Sequence, residues 1–446
     1  MNLSVLASLA VALACPAVLA RDSTDGFRSA LARVPDIDGD GLDDLALAFR
    51  RAPPTPEMEI VNVKQLNRRS SRILLLSGRD GTLLSSIEGP EGFGLALAIA
   101  GSPDADGDSK GDVWVSADKG ASLHSTGSKK TIASVAVDLK GGCKGVALDV
   151  GADRNGDGCC ELLIGVTSDV RGSAYLCSGK TGAILQSIDY VDGSPCWKEG
   201  EHPPEYLFSA RWPKLGIGVH FLPDLDGDSL EEIAVGSGGS DATGDRSPAS
   251  RTIVFGSRDG RPIRTLPNQG WSMTWIARGE GAIDLVLGME ATELACFSLA
   301  DGAQRWSCDY AGYYLNGEAT TLARVADLDG DGVSDFVQGA NETGMDTDRG
   351  FAQLHSGATG EVLLAAKLFT APGEASNPDE QASQAWPSPG GWSGADVEAV
   401  ADCDGDGLGD CALWLPYRQV VQVVSSKSFK VLWERRIDEL HQGLER

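Results

Sequence analysis

A nine-residue acidic loop, DLDGDGVSD from Asp327 to Asp335, recurs in five further versions, and each version runs directly into a short apolar stretch. No other feature restricts the possible folds as much. Carboxylates, or in one case an amide, stand at positions 1, 3, 5 and 9, alternating with residues that point away, so a curled loop gathers their oxygens around one centre. Calcium, a hard cation that takes 6–8 oxygen ligands, suits such a donor set. Glycine at position 4, and in four copies at position 6, supplies backbone freedom where the chain must bend around an ion.

The candidate ligands of the first three copies are Asp36, Asp38, Asp40 and Asp44; Asp104, Asp106, Asp108 and Asp112; and Asp153, Asn155, Asp157 and Glu161. Those of the last three are Asp224, Asp226, Asp228 and Glu232; Asp327, Asp329, Asp331 and Asp335; and Asp402, Asp404, Asp406 and Asp410. Position 7 would add a backbone carbonyl, which makes no demand on the side chain: Leu42, Lys110, Cys159, Leu230, Val333 and Leu408. Ser109 and Ser229 replace glycine at position 6, and these two loops are expected to be the weaker sites.

An EF-hand begins in the same way but needs a bidentate Glu at position 12 on an exiting helix. Here position 12 is Leu47, Val115, Ile164, Val235, Gln338 or Leu413, inside runs such as DLALA, ELLIG and EIAVG that read as strands. The loop therefore closes a β-turn.

Each loop belongs to a longer repeat. One strand precedes it and one follows. A hairpin then completes the unit, as in RILLLSGRDGTLLSSI from Arg72, SAYLCSGKTGAILQSI from Ser173 and FAQLHSGATGEVLLAA from Phe351. A seventh unit carries the strand AIDLVLG from Ala282 and the hairpin ELACFSLADGAQRWS from Glu293, but its loop has decayed to Ala277–Gly281. Seven four-stranded units in one chain predict a closed seven-bladed β-propeller, since radial repetition protects the strand edges that an open array exposes. The expected blades span about 26–88, 92–137, 143–190, 214–267, 270–308, 315–366 and 391–437, within one domain covering 21–446.

This order of aromatic-Gly strand (Phe93-Gly94), DxDGDGxxD loop, apolar strand and SGxxG hairpin resembles the FG-GAP repeats of the integrin α-subunit propeller and its bacterial relatives. The resemblance implies the propeller, calcium in up to six loops and an extracellular adhesive role.

Met1 to Ala20 reads as a secretory signal peptide followed by charged Arg21-Asp22, with lipid attachment at Cys15 the lesser alternative. Secretion, a periplasmic location or display at the cell surface is expected, and no later run has the ~18 apolar residues of a membrane span. The formal net charge of −26 disfavours nucleic acid or anionic membrane as a partner, although much of it belongs to the six loops. Nine of the ten cysteines lie beyond the signal peptide and suit an oxidising compartment. Cys403 with Cys411, and Cys296 with Cys308, are placed to form local disulfides; Cys143, Cys159, Cys160, Cys177 and Cys196 share the third repeat without an assignable pairing.

Strand parity puts the acidic loops and the hairpin turns on one face and every long insertion on the other. Two insertions carry aromatics, Trp197, His202, Tyr206, Phe208 and Trp212 in one and Trp386 in the other, with Trp392 just beyond; Tyr310, Tyr313 and Tyr314 also fall near that face. Such groups serve glycan or protein recognition, or else simply cover blade edges. None of the five histidines, at 124, 202, 220, 355 and 441, stands in a nucleophile motif. The expected function is an extracellular binding or adhesion module for a glycan or a protein. The alternatives are a propeller enzyme acting on extracellular polysaccharide, its site scattered over several loops, and an envelope or matrix scaffold.

Overall fold

In a computed structural model of the 446-residue chain, the residues described are 31–49, 72–88, 98–117, 120–137, 145–167, 172–188, 214–238, 251–256, 258–267, 270–288, 293–309, 321–343, 348–366, 396–415, 420–437 and 439–440. Within them the chain forms seven antiparallel four-stranded sheets, each taken from four consecutive strands. The first blade comprises Leu31–Val34, Asp44–Phe49, Arg72–Leu76 and Leu83–Glu88. Its register pairs Val34 with Asp44 and Leu45 with Leu76, so the acidic loop and the SGxxG turn emerge at the same end of the sheet. A register shift interrupts the outer pair of strands just before that turn in every blade. Such a bulge adds local twist, which a radial sheet needs.

The first strand of each blade lies innermost: Leu31–Val34, Ile99–Ser102, Gly145–Val150, Lys214–Leu222, Ser272–Arg278, Thr321–Arg324 and Asp396–Val400. Each touches the corresponding strand of the next blade, and the seventh touches the first, so the ring is closed around a central channel. Alternate residues of the strands pack to either side, giving seven hydrophobic clusters, one between each pair of neighbouring blades. The chain is therefore an all-β seven-bladed propeller. Its position 12 residues Leu47, Val115, Ile164, Val235, Gln338 and Leu413 all sit in the second strands, which excludes the EF-hand helix.

Blade 7 meets blade 1 with no exchange of strands among the described residues. Closure rests on side-chain packing and a side-chain hydrogen bond. Trp414, Val421, Val423, Trp433, Ile437 and Leu440 on one side meet Leu31, Leu45, Leu47, Leu74 and Leu76 on the other, and the Trp433 indole Nε1–H donates to the Gly78 carbonyl at 2.8 Å. The same latch joins blade 5 to blade 6, where Trp306 Nε1–H donates to the Gly357 carbonyl at 2.9 Å.

The proposed local disulfides are corrected. Cys159, Cys160, Cys177, Cys296, Cys308, Cys403 and Cys411 are all free thiols. Cys411 packs in the cluster between blades 6 and 7, whereas Cys403 turns to the other face of blade 7, with its Sγ 3.5 Å from the Gly78 carbonyl of blade 1. The blade itself separates them. Cys296 lies opposite Trp306 and Cys308 opposite Leu294, so the strand register sets that pair one diagonal step apart. The signal segment, Cys15, Cys143, Cys196, His202, His441, Trp197, Tyr206, Phe208, Trp212, Trp386, Trp392 and Tyr310, Tyr313 and Tyr314 lie outside the described residues.

Candidate functional site

The acidic loops are built the same way from their backbone outward. In the first, Asp36 Oδ1 accepts the amides of Gly39 (2.6 Å) and Asp40 (3.2 Å), and its Oδ2 accepts that of Gly41 at 2.8 Å. Asp38 and Asp40 each accept the amide two residues on, at 3.1 and 2.9 Å. Asp44, at position 9, reaches back to the Ile37 amide (2.6 Å) and forward to the Gly78 amide of its own hairpin (2.9 Å). Position 9 thus staples the loop to the SGxxG turn. The pattern repeats at Asp112, Asp335 and Asp410, which bind both their loop and the turn residues Thr126, Gly357 and Ser426.

This geometry turns the remaining oxygens toward one another. Carboxylate oxygens of Asp36, Asp38 and Asp40 lie mutually within 4.8 Å, as do those of Asp104, Asp106 and Asp108; Asp224, Asp226, Asp228 and Glu232; Asp327, Asp329 and Asp335; and Asp402, Asp404 and Asp410. The third loop gathers no such group of three carboxylates: position 3 is Asn155, and Glu161 accepts the amides of Arg154 and Asn155, both at 3.1 Å. At the outer edge of several loops a hairpin side chain touches position 5: Arg79 on Asp40 (2.5 Å), Ser178 on Asp157 (2.9 Å) and Arg258 on Asp228 (3.3 Å). Ser109 and Ser229 adopt φ of 69° and 70°, in the left-handed region that the glycines of the other loops take at 86–90°.

The position 9 carboxyls are the electrostatic centre of each site. Asp44, Asp112, Glu161, Glu232, Asp335 and Asp410 are all buried, and among the described residues none stands within ion-pair distance of a basic side chain, although Glu161 and Glu232 both feel the charge of the half-buried Arg154 guanidinium. Burial pushes Asp44 up to about 6 and Asp112 and Glu232 up to about 7, with further upward pressure from the other carboxylates of each loop. Glu161, Asp335 and Asp410 move in the same direction for the same reason. Glu232 Oε1 is buried without any hydrogen-bond partner. A buried carboxylate without a counter-charge is costly.

Blade 5 carries its own cation. Asp284 occupies the position 9 place, since it pairs with Ser298 and is followed by Leu285 opposite Phe297, as Asp44 is followed by Leu45 opposite Leu76. It too is buried, at 1 % exposure, but Arg278 from the decayed loop donates to it through Nε, and Arg305 Nε stands 3.6 Å away. The sequence showed the loss of the paired loop carboxylates here but not the surviving Asp284 or its guanidinium partner. Where the acidic loop is absent, a fixed positive charge from the chain stands beside the buried carboxylate.

A second set of polar residues, which the motifs did not reveal, faces the central channel. Arg33, Trp275 and Arg324 occupy one tier of the inner strands, each paired with the residue that follows position 9: Leu45, Leu285 and Phe336. Asp149, His220 and Glu398 occupy the next tier, opposite Leu163, Ala234 and Ala412. His220 Nδ1 and Asp149 Oδ2 are 2.8 Å apart, and the same carboxylate oxygen accepts the Phe221 amide at 2.7 Å. The Arg324 guanidinium lies 3.5 Å from the centroid of the Trp275 ring. Burial pushes Glu398 up to about 7, against the pull of Arg33. The signal was available in the sequence, as a polar side chain three or four residues before an acidic loop, but it becomes a cluster only when the blades are closed into a ring. The other described histidines are structural: His124 pairs with Ser122 Oγ at 2.8 Å, and His355 lies buried between the Gly360 carbonyl and Gln338, stacked on Phe336.

No protein-family model matches the chain, and no curated protein matches it by sequence. Among solved structures, the chain is similar to BBS1N in its crystal structure in complex with ARL6DN, soaked with lead. That match has a TM-score of 0.45 and 10% identity, and covers 75% of this chain and 82% of the other. A mercury-soaked crystal of the same complex gives a TM-score of 0.46 and 8% identity, covering 75% and 80%. A chain of the mitotic checkpoint complex gives 0.44 and 11%, covering 91% and 86%. The strand pairing, rather than these matches, establishes the architecture. Among the described residues no helix is long and apolar enough to cross a membrane.

Proposed function

We propose that the protein is a secreted, calcium-stabilised propeller that serves as an extracellular binding or adhesion module for a glycan or a protein. One observation carries the calcium: among the described residues the six buried position 9 carboxylates have no basic side chain within ion-pair distance, only Glu161 and Glu232 feeling the more distant Arg154, while their counterpart Asp284, in the one blade without an acidic loop, is paired with Arg278. Calcium would be held by the side chains at positions 1, 3, 5 and 9 and the carbonyl at position 7, neutralising each loop. Extracellular sites of this kind bind at roughly 0.1–1 mM, so about 1 mM calcium would add roughly 0.4–1.4 kcal/mol per site. Six independent sites would add about 2–8 kcal/mol, comparable with the net stability of a domain. Chelation with EGTA is expected to lower the melting temperature by many degrees. An unchanged melt removes calcium from this reading.

The binding role is tested by incubating the full mature chain with a panel of polysaccharides in calcium and scoring both retention of the protein and release of new chain ends. Retention without cleavage is the expected result. A polysaccharide-cleaving enzyme is the second reading, favoured by the His220–Asp149 pair and the Glu398 carboxyl in the channel, and new chain ends would establish it. Neither retention nor cleavage would point to a protein partner or a scaffold.

A further inference from the structure

The channel cluster contains a charge that the fold does not satisfy. The Arg324 guanidinium sits over the Trp275 ring, yet among the described residues no carboxylate stands within ion-pair distance of it. It is exposed to the channel rather than packed away, and both burial around it and repulsion from Arg33 lower its pKa. A guanidinium held by an aromatic face keeps its planar edge of N–H donors for an incoming anion, and a carboxylate matches that edge with two parallel hydrogen bonds.

The neighbours narrow the class of anion. Asp149 and Glu398 approach from blades 3 and 7, and each is felt by His220, whose pKa they raise. Arg324 is felt by the same imidazole, so two carboxyl groups and the guanidinium share one cluster around His220, and the carboxyl groups repel a multiply charged ion such as phosphate more than a single carboxylate. They are also acceptors, which suits a ligand rich in hydroxyl donors. His220 and Asp149 keep 27 % and 25 % of their side chains exposed, and the imidazole, with Nδ1 held by Asp149, has Nε2 free of partners among the described residues. Blade 2 contributes only Ala100 and Gly101 at these two tiers, leaving room on that side.

We propose that the central channel is a binding site for a small polyhydroxy carboxylate, a sugar acid, whose carboxylate is taken by Arg324 on its Trp275 platform and whose hydroxyls are taken by Asp149, His220 and Glu398. Arg33, itself ion-paired with Asp43 at 3.4 Å, lies across blade 7. The site is formed by side chains of six blades and exists only in the closed ring. It is independent of the calcium assignment and of any glycan bound on the outer faces.

The test is calorimetric titration of the full mature chain, with calcium present throughout, using glucuronate, glucose and inorganic phosphate as separate probes. Glucuronate is expected to bind, and glucose and phosphate to bind at least tenfold more weakly. Arg324→Gln should weaken glucuronate by about tenfold or more, the loss of one charge-assisted bidentate contact, while the thermal melt and its response to calcium stay as in the parent. Should that variant fail to fold, Arg324→Lys keeps the charge without the planar edge and is expected to weaken glucuronate in the same direction. Glu398→Gln should reduce the preference for glucuronate over acetate, a readout that a purely structural role would not move. The proposal is overturned if glucuronate does not bind at millimolar concentration, if phosphate binds better, or if folded Arg324 variants bind glucuronate like the parent.

Discussion

At the scale of single residues, the contrast between Ser109 or Ser229 and the glycines at the same loop position gives a direct test of loop strain. A β-carbon at φ near +70° costs roughly 1–2 kcal/mol, and nothing else in those loops requires serine. Ser109→Gly and Ser229→Gly are therefore expected to raise stability by about 1 kcal/mol each and to tighten calcium at loops two and four; an unchanged melt for both would show that the loops relax the strain. The position 9 carboxyls supply a second test. Their folded pKa values lie above those of an unfolded chain, so the calcium-free fold holds protons that the unfolded chain releases. Stability of the calcium-free protein is then highest at the acid end of the window from about 4 to 7 and falls as pH rises through the folded values of about 6 for Asp44 and about 7 for Asp112 and Glu232. Protein dialysed free of calcium should melt higher at pH 5 than at pH 8. Saturating calcium should reverse the trend, because the ion needs ionised oxygens; a melt in the calcium-free state that rises steadily with pH would contradict the account.

The loops were legible in the sequence because their chemistry is local: four donors within nine residues fold on one another whatever the rest of the chain does. Asp284 and Arg278 were not, since the carboxylate becomes recognisable only through its pairing with Ser298. Nor were Arg324 and Trp275, which are far apart in sequence and meet only because blades 5 and 6 are neighbours.

Among the elements, the hairpin turn does more than reverse the chain. Gly78 and Gly357 present an amide to the buried carboxylate of their own blade and a carbonyl to the tryptophan of the blade before, so one dipeptide connects the loop, the turn and the interface. A glycine closes five of the seven turns, with Lys129 and Phe429 taking its left-handed place in blades 2 and 7, and some of these glycines are tightly constrained. Gly360 has φ of 77°, and a β-carbon there would come within 2.7 Å of the Trp306 ring. Gly360→Ala is expected to cost about 1–3 kcal/mol, measured by denaturant titration, with calcium affinity at the Asp327–Asp335 loop reduced through the displaced turn; no loss of stability would mean the turn is not held by the tryptophan. The strand order could be read where the SGxxG signature is intact, in the units of Ser77, Ser178 and Ser356. The cysteines could not be, because spacing alone does not reveal that Cys403 and Cys411 face different neighbours across one sheet.

For the molecule as a whole, the seam between blades 7 and 1 is where the ring depends most on side-chain packing. Trp433 fills it, at 8 % exposure, and caps the Gly78 carbonyl. Trp433→Ala should cost about 3–5 kcal/mol and should speed hydrogen exchange first in Leu31–Val34 and Val431–Arg436, since local opening begins where the fewest constraints hold. Exchange that accelerates uniformly around the ring would instead mean that the seam is no weaker than the other interfaces.

Because each blade is one uninterrupted stretch of chain and the seam is a hydrophobic cluster like the six others, any of the seven interfaces could serve as the break in the ring. Leu31 and Leu440 pack in the one cluster at this seam. The same modularity makes a whole blade the natural unit of gain or loss: its removal would take a contiguous segment and leave two surfaces of the same kind facing each other.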